Sequence, residues 1–298
     1  MANTFIFYTN LISSFLIAVI GITGNLAILY FFLIKCWKRI NSYYLFIIYL
    51  AFSDLTVCIT RFVLITALYF APETRTATLL CENTWFLGIG ISNTSIWILC
   101  GLSFDRYRKI TKPLARQQPK WLIHITCITP AFIGYWIYYP YNQTLKWDHA
   151  NKDCSEAIEM SYGISITLFA LHTILVCILP ISTNIYANYR IGRYLNSNND
   201  NIQIQQSEIH ERNKRASSTL KSLTIIASIT VFIPNVFITA LYATYFMTNS
   251  FEIIPKELYI ILSNVMFFNS IINVFVYWFH IKEFCSFYAK KIHSCFRS

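Results

Sequence analysis

Seven apolar stretches of roughly 20 or more residues punctuate this chain. As helices rising about 1.5 Å per residue, such stretches are long enough to cross the hydrocarbon of a bilayer. They read as helices at Leu11–Ile34, Tyr43–Phe70, Leu80–Tyr107, Trp121–Tyr139, Tyr162–Tyr189, Leu220–Met247 and Leu258–His280. Together they occupy more than half of the 298 residues and leave only short connections and two short tails. Charged residues make up 13% of the chain, about half the share usual in a soluble domain. That excludes a soluble enzyme, a disordered tail protein and a small disulfide-stapled secreted domain. The expectation is an all-α membrane protein, a single seven-helix bundle over residues 1–298. The first stretch follows ten residues without a basic cluster or a small-residue cleavage pattern, so it reads as a retained span and not a signal peptide.

The formal net charge is +10, and its distribution decides what it means. Nineteen of the 24 Lys and Arg residues fall in the connections after the first, third and fifth helices and in the tail, giving that face a net +14. The opposite face carries Arg75, Lys146, Lys152 and Lys256 against eight acids, a net −4. This steep bias sets the N-terminus outside and the C-terminus in the cytosol. The positive charge is then topology and contact with anionic lipids, with no nucleic-acid signature interrupting the apolar stretches.

Two further features agree with that weave. The sequon Asn142-Gln143-Thr144 lies between the fourth and fifth helices, on the outer side, and makes Asn142 a glycosylation candidate. Of nine cysteines, Cys81 and Cys154 are the two assigned to the exterior, the number that one disulfide requires; the other reading is two unpaired thiols.

From Cys81 to Arg106 is 25 residues, or about 37 Å of helix, so one end of this stretch is at the outer rim and the other at the inner rim. A cysteine at the outer end, Asp105-Arg106-Tyr107 at the inner end and Pro113-Leu114 beyond it resemble the rhodopsin-like (class A) G-protein-coupled receptors. The resemblance covers nearly the whole chain. It includes Gly24-Asn25, Leu50-Ala51-Phe52-Ser53-Asp54-Leu55, Pro180, Phe232-Ile233-Pro234 and Asn273-Val274-Phe275-Val276-Tyr277. An amphipathic stretch at 281–293 follows, with Phe284, Phe287 and Tyr288 set against Lys282, Lys290 and Lys291, as a short cytoplasmic helix lying on the membrane requires.

Physics and the resemblance together assign expected roles. Asp54 is an ionisable group near the bilayer midplane, costly unless partnered, and Asn25, Ser95, Asn269, Ser270 and Asn273 are the polar residues able to surround it. The resemblance implies a hydrated sodium site there; the alternative is a dry hydrogen-bonded cluster. It also implies that Asp105 holds Arg106 until the inner helix ends separate, whereupon the arginine meets a heterotrimeric G protein. Pro180 and Pro234 remove helical hydrogen bonds and mark hinges or plain bends. Phe232, Pro234, Asn273 and Tyr277 complete the expected activation switch. Cys285 or Cys295 is a palmitoylation candidate beside the membrane. The tail offers few hydroxyls, so capture by arrestin is expected to be weak.

The resemblance departs in places. Val274 replaces a proline, Phe232 stands where a tryptophan is usual, and Asn188 takes the place of a tyrosine, with Tyr189 next to it. Lys214 stands where many members carry an acid that pairs with the third-helix arginine, which points to raised basal activity.

For the ligand, 18 residues outward from Arg106 stands Gly88, where amine receptors carry an aspartate. A glycine cannot bind an ammonium, which argues against a monoamine, and the seventh helix has no lysine for a retinal Schiff base. Arg61, two turns outward from Asp54, is expected to face the bundle and meet an anion, either a ligand carboxylate or phosphate or an internal partner. Ser92, Asn93, His172, Asn235, Thr239, Ser263 and Phe267 complete a candidate pocket. An acidic, lipid or short-peptide ligand suits it.

The leading expectation is a plasma-membrane receptor for an extracellular ligand that activates a G protein. A seven-helix decoy or dimer partner is the alternative. A transporter fits less well, because no repeated half is present. No Gly-rich phosphate loop, His-Glu-x-x-His or nucleophile triad suggests an enzyme, and no cofactor is expected beyond an allosteric sodium ion.

Overall fold

The computed structural model describes residues 2–35, 41–70, 75–83, 90–111, 118–148, 153–156, 161–197, 256–281 and 284–289, together with isolated positions between 218 and 240. Helix α1 runs Ala2–Tyr30 and passes into a π-helical turn at Phe31–Lys35. Helix α2 spans Ser42–Phe70, a short α3 spans Arg75–Glu82, and α4 spans Ile91–Thr111. Helix α5 covers Lys120–Thr144, followed by strands β1 (Leu145–Asp148) and β2 (Asp153–Glu156). Helix α6 (Tyr162–His172) continues through a π-helical stretch at Thr173–Ile178 into α7 (Leu179–Ser197), and α8 covers Lys256–His280. The described positions between 221 and 240 are helical as well.

Local signals explain several boundaries. Asn41 caps α2: its side-chain oxygen accepts the backbone N–H of Tyr44 at 3.1 Å, filling one of the orphan donors of a first turn. Pro119 precedes α5, where a missing N–H costs nothing, and its carbonyl accepts the N–H of Leu122 at 3.0 Å. Pro130 and Pro140 lie inside α5, where each removes a helical hydrogen bond.

Helix α1 packs on α2 and α8, α2 on α4, and α4 on α5 and α7, so α4 stands at the centre of the described bundle. Packing is tight where side chains are small. A Cβ on Gly24 would lie 2.7 Å from both methyls of Val274, and one on Gly101 would lie 2.6 Å from the Phe46 ring. The periphery is apolar: Phe279 is 78% exposed, Trp136 68% and Phe132 64%, whereas Asp54 is wholly buried. A soluble protein would not show so many large apolar side chains at its surface, whereas lipid tails solvate them.

Several boundaries and elements differ from the sequence reading. Strands β1 and β2 form an antiparallel hairpin, with Trp147 opposite Cys154, in place of the plain loop that the sequence suggests. The fourth helix runs on to Thr144, so Asn142 is in its last turn and not in a loop. Of the third expected span, Leu80–Glu82 fall in α3 and Ile91–Tyr107 in α4, with 84–89 outside the described residues. Among the described residues three segments are long and apolar enough to cross a membrane by length and composition: Leu11–Ile34, Ser42–Leu64 and Ile166–Tyr194, with a shorter apolar helix at Asn264–Phe279. Helix α4 falls short of that description because it carries Asp105, Arg106, Arg108 and Lys109 at one end and mixes Ser92, Asn93, Thr94, Ser95 and Ser103 with apolar residues on its buried face.

After α8, a short helix at 284–289 turns back on the bundle, with the Ile281 carbonyl accepting the N–H groups of Phe284 and Cys285. Phe284 is buried against Phe31 and Trp278, so part of the face expected to lie on lipid is packed on protein instead.

Candidate functional site

The polar centre assembles around Asp54 of α2. Its Oδ1 accepts the hydroxyl of Ser95 in α4 at 2.9 Å, and its Oδ2 accepts the side-chain amide of Asn273 in α8 at 2.7 Å. Ser270 hydrogen-bonds the same carboxylate. Asn25 of α1 donates to the carbonyl oxygens of Gly21 at 2.9 Å and Ser270 at 3.0 Å. Asn269 accepts the hydroxyl of Thr230, tying in the sixth span at 3.0 Å. Of the six residues expected from the sequence, Asn25, Asp54, Ser95, Ser270 and Asn273 are linked here by hydrogen bonds, while Asn269, buried one residue before Ser270, is joined to Thr230. Thr230, and Ser53 with its hydroxyl 3.2 Å from that of Ser95, are members that the sequence reading missed. Ser53 directly precedes Asp54 and Thr230 follows Ser228 by two residues, so neither stands out along the chain, and only the packing of the helices marks them. The Thr230 hydroxyl shares its one proton between Asn269 Oδ1 and the Ile226 carbonyl of its own helix, 2.8 Å away.

Two amide oxygens in this centre, Asn25 Oδ1 and Asn273 Oδ1, are buried without a hydrogen-bond partner among the described residues. A buried acceptor left unpaired costs about 1–3 kcal/mol, so these atoms call for water or a cation. With the Asp54 carboxylate they make an oxygen-only donor set, which fits a hard ion such as sodium.

At the C-terminal end of α4, Asp105 meets Lys109 and Arg106 meets Tyr43. Asp105 is buried and forms an ion pair with Lys109 at 3.0 Å, and the Lys109 ammonium also donates to the Ser42 hydroxyl. The Arg106 guanidinium carbon is 3.7 Å from the centre of the Tyr43 ring, a cation–π arrangement. Tyr107 meets Tyr186 edge to face at 6.5 Å and hydrogen-bonds Arg190. Pro234 is buried in the sixth span, while Phe232 and Lys214 lie outside the described residues. Tyr277 is fully buried, and its hydroxyl has no hydrogen-bond partner among the described residues.

A clasp between α4 and α7 has no counterpart in the sequence reading. Ser103 donates to Asn184 Oδ1 at 2.5 Å, Asn184 donates to Cys100 Sγ at 3.2 Å, and the Cys100 thiol donates to the Pro180 carbonyl at 3.0 Å. Pro180 and Asn184 are four residues apart, hence on one helix face, which is the sequence signal for it.

Farther out, the Arg61 guanidinium donates to Asn264 Oδ1 at 3.1 Å and is 4.7 Å from the centre of the Phe267 ring. Asn264 is a member of this cluster that the sequence reading missed. A second polar group links three helices: Asn235 donates to Asn93 Oδ1 at 3.5 Å and hydrogen-bonds His172. Ser92 is buried on α4. Gly88, Thr239 and the side chain of Ser263 lie outside the described residues.

Of the residues expected at the rims, Cys81 is buried and disulfide-bonded. Cys154 is in β2, and α3 packs against the partner strand β1. The side chains of Cys154 and Asn142, and all of Cys295, lie outside the described residues, while Cys285 is a half-buried free thiol.

Residues 24–277 match the family described as 7 transmembrane receptor (rhodopsin family), and the chain belongs to it. It is thus a multi-pass membrane protein of a seven-helix receptor family, which is not a class of enzymes. The chain is 29% identical over 178 residues to muscarinic acetylcholine receptor M5 of Homo sapiens, covering 54% of this chain and 33% of that receptor. It is 27% identical over 177 residues to muscarinic acetylcholine receptor M3 of Gallus gallus, covering 55% of this chain and 27% of that one. Against muscarinic acetylcholine receptor M1 of Sus scrofa the figures are 26% over 181 residues, 56% and 39%. The matched stretch spans between 27% and 39% of the length of these relatives.

Proposed function

We propose that this protein is a plasma-membrane receptor, N-terminus outside, that binds an extracellular ligand and activates a heterotrimeric G protein at its cytoplasmic face. The observation that carries the reading is Asp105-Arg106-Tyr107 at the inner end of α4 in a chain matched to the receptor family over residues 24–277. Two packings of the same helices exchange, and a ligand that prefers one of them shifts the balance.

The muscarinic relatives are named for acetylcholine, a cation. Gly88 offers no carboxylate, and Arg61 brings positive charge to the outer half of the bundle, so the proposed ligand is an organic acid, a lipid with an acidic group or a short peptide with a free carboxylate. Sodium at Asp54 is proposed to favour the resting packing. Cys81 is proposed to pair with Cys154, Asn142 to carry a glycan, and Cys285 or Cys295 a palmitoyl group. Lys214, in place of an acid, supports appreciable agonist-free signalling, and arrestin capture is proposed to be weak.

Arg106→Ala tests the core of this reading. G-protein activation, agonist-free or driven by an acid found in a screen, should vanish while surface delivery persists. Full activation by the variant would reject the reading. A non-signalling decoy or dimer partner is the second reading, favoured by Val274, packed on Gly24 where a proline hinge is usual. It predicts surface delivery with no exchange on any G protein.

A further inference from the structure

The first turn of α2 engages the last turns of α4 through two consecutive residues. Ser42 accepts the Lys109 ammonium, and Tyr43 lies under the Arg106 guanidinium at 3.7 Å. Both are held in register by the Asn41 cap on the Tyr44 N–H. Lys109, one turn beyond Asp105, forms the 3.0 Å ion pair with it. Tyr43 is buried in the same apolar cluster as Tyr277, Phe46 and Leu102, so its ring is a fixed platform and not a mobile surface side chain.

We propose that Tyr43 and Lys109 are positioning residues that set the resting place of Arg106. Lys109 competes for the Asp105 carboxylate, which loosens the acid's grip on its neighbour. The Tyr43 ring also holds the guanidinium and seats it against α2. A cation on an aromatic face is held modestly, so this contact is built to release. It also needs no acid from the sixth span, where the sequence has Lys214. The inference rests on the receptor reading and names the contacts that fix its unliganded balance.

The test uses the full chain in membranes, reading agonist-free nucleotide exchange on a panel of G proteins, normalised to surface receptor. Tyr43→Leu removes the seat and should raise exchange about threefold to tenfold, and Tyr43→Phe, which keeps the ring, should restore the original level. Lys109→Met returns Asp105 to Arg106 and should lower exchange; because Lys109 is at the surface end of α4, this variant serves even where Tyr43→Leu fails to fold. Equal effects of Tyr43→Leu and Tyr43→Phe, or a rise with Lys109→Met, would overturn the proposal. A melting-temperature cycle of Tyr43→Leu with Arg106→Ala separates the two layers. Additive losses show no coupling and sink the inference while leaving the receptor reading intact. Coupled losses without a rise in exchange from Tyr43→Leu show a purely structural contact and overturn the proposal, while the receptor reading stands or falls separately on Arg106→Ala with an agonist.

Discussion

Asn25 in α1 donates its side-chain amide to the backbone oxygen of Ser270 in α8 at 3.0 Å, joining residues 245 apart in the chain. The bond spends the donor of Asn25 on backbone and leaves its amide oxygen for something else. With Asn273 Oδ1 also lacking a partner among the described residues, the centre holds two acceptors beside a carboxylate.

Sodium should therefore stabilise the purified chain. Melting in sodium chloride should exceed melting in a bulky organic chloride of equal ionic strength. At a hundred times the dissociation constant the gain is about 2.7 kcal/mol. Asp54→Asn keeps the size of the side chain but removes its charge, and should abolish the difference. An equal sodium effect in the variant would place the ion elsewhere.

Arg61 should govern recognition of acids. Arg61→Met removes its charge, and a charge-assisted hydrogen bond of about 1.5–3 kcal/mol corresponds to a loss of roughly 10- to 150-fold in potency for a carboxylate agonist. Arg61→Lys should retain part of the response, since it keeps the cation but not the planar donor fork. A concentration–response series checks both, and unchanged potency in Arg61→Met would remove the residue from the ligand site.

Loss of the disulfide at Cys81 should weaken the outer rim. Cys81→Ser should cost about 2–4 kcal/mol, read as a lower melting temperature and reduced surface expression. If the partner is Cys154, Cys154→Ser should match it and the double variant should add nothing further.

The clasp between α4 and α7 gives a fourth expectation. Asn184→Leu strands the Ser103 hydroxyl and should cost about 1–3 kcal/mol in thermal stability. Ser103→Ala in the same chain should recover part of that loss, because both ends of the bond are then apolar; strictly additive losses would deny the coupling.

Much of the polar centre is legible in the sequence. Asp54 and its polar neighbours stand out because each is an expensive guest in an apolar helix, and expense is visible in a string of residues. Arg61 stands out for the same reason. Its partner Asn264 does not, because an asparagine in the seventh helix acquires meaning only when the crossing of α2 and α8 places it 3.1 Å away. The seat of Arg106 is hidden too. Tyr43 is one of 20 tyrosines, and nothing in its neighbours along the chain distinguishes it. The hairpin at 145–156 escapes because its strands are four residues each and carry charged residues, too short for an alternating pattern to emerge.

The Tyr288 hydroxyl donates to the carbonyl of Ala27 at 2.7 Å, just before α1 slackens into its π-helical turn. Phe31 meets Phe284 and Phe287 beside it, each at 5.4 Å. The trailing segment is thus riveted to the first helix as well as to the seventh. Any stimulus that tugs on this segment pulls at the first and the last of the long helices together, and the load falls on a single aromatic knot.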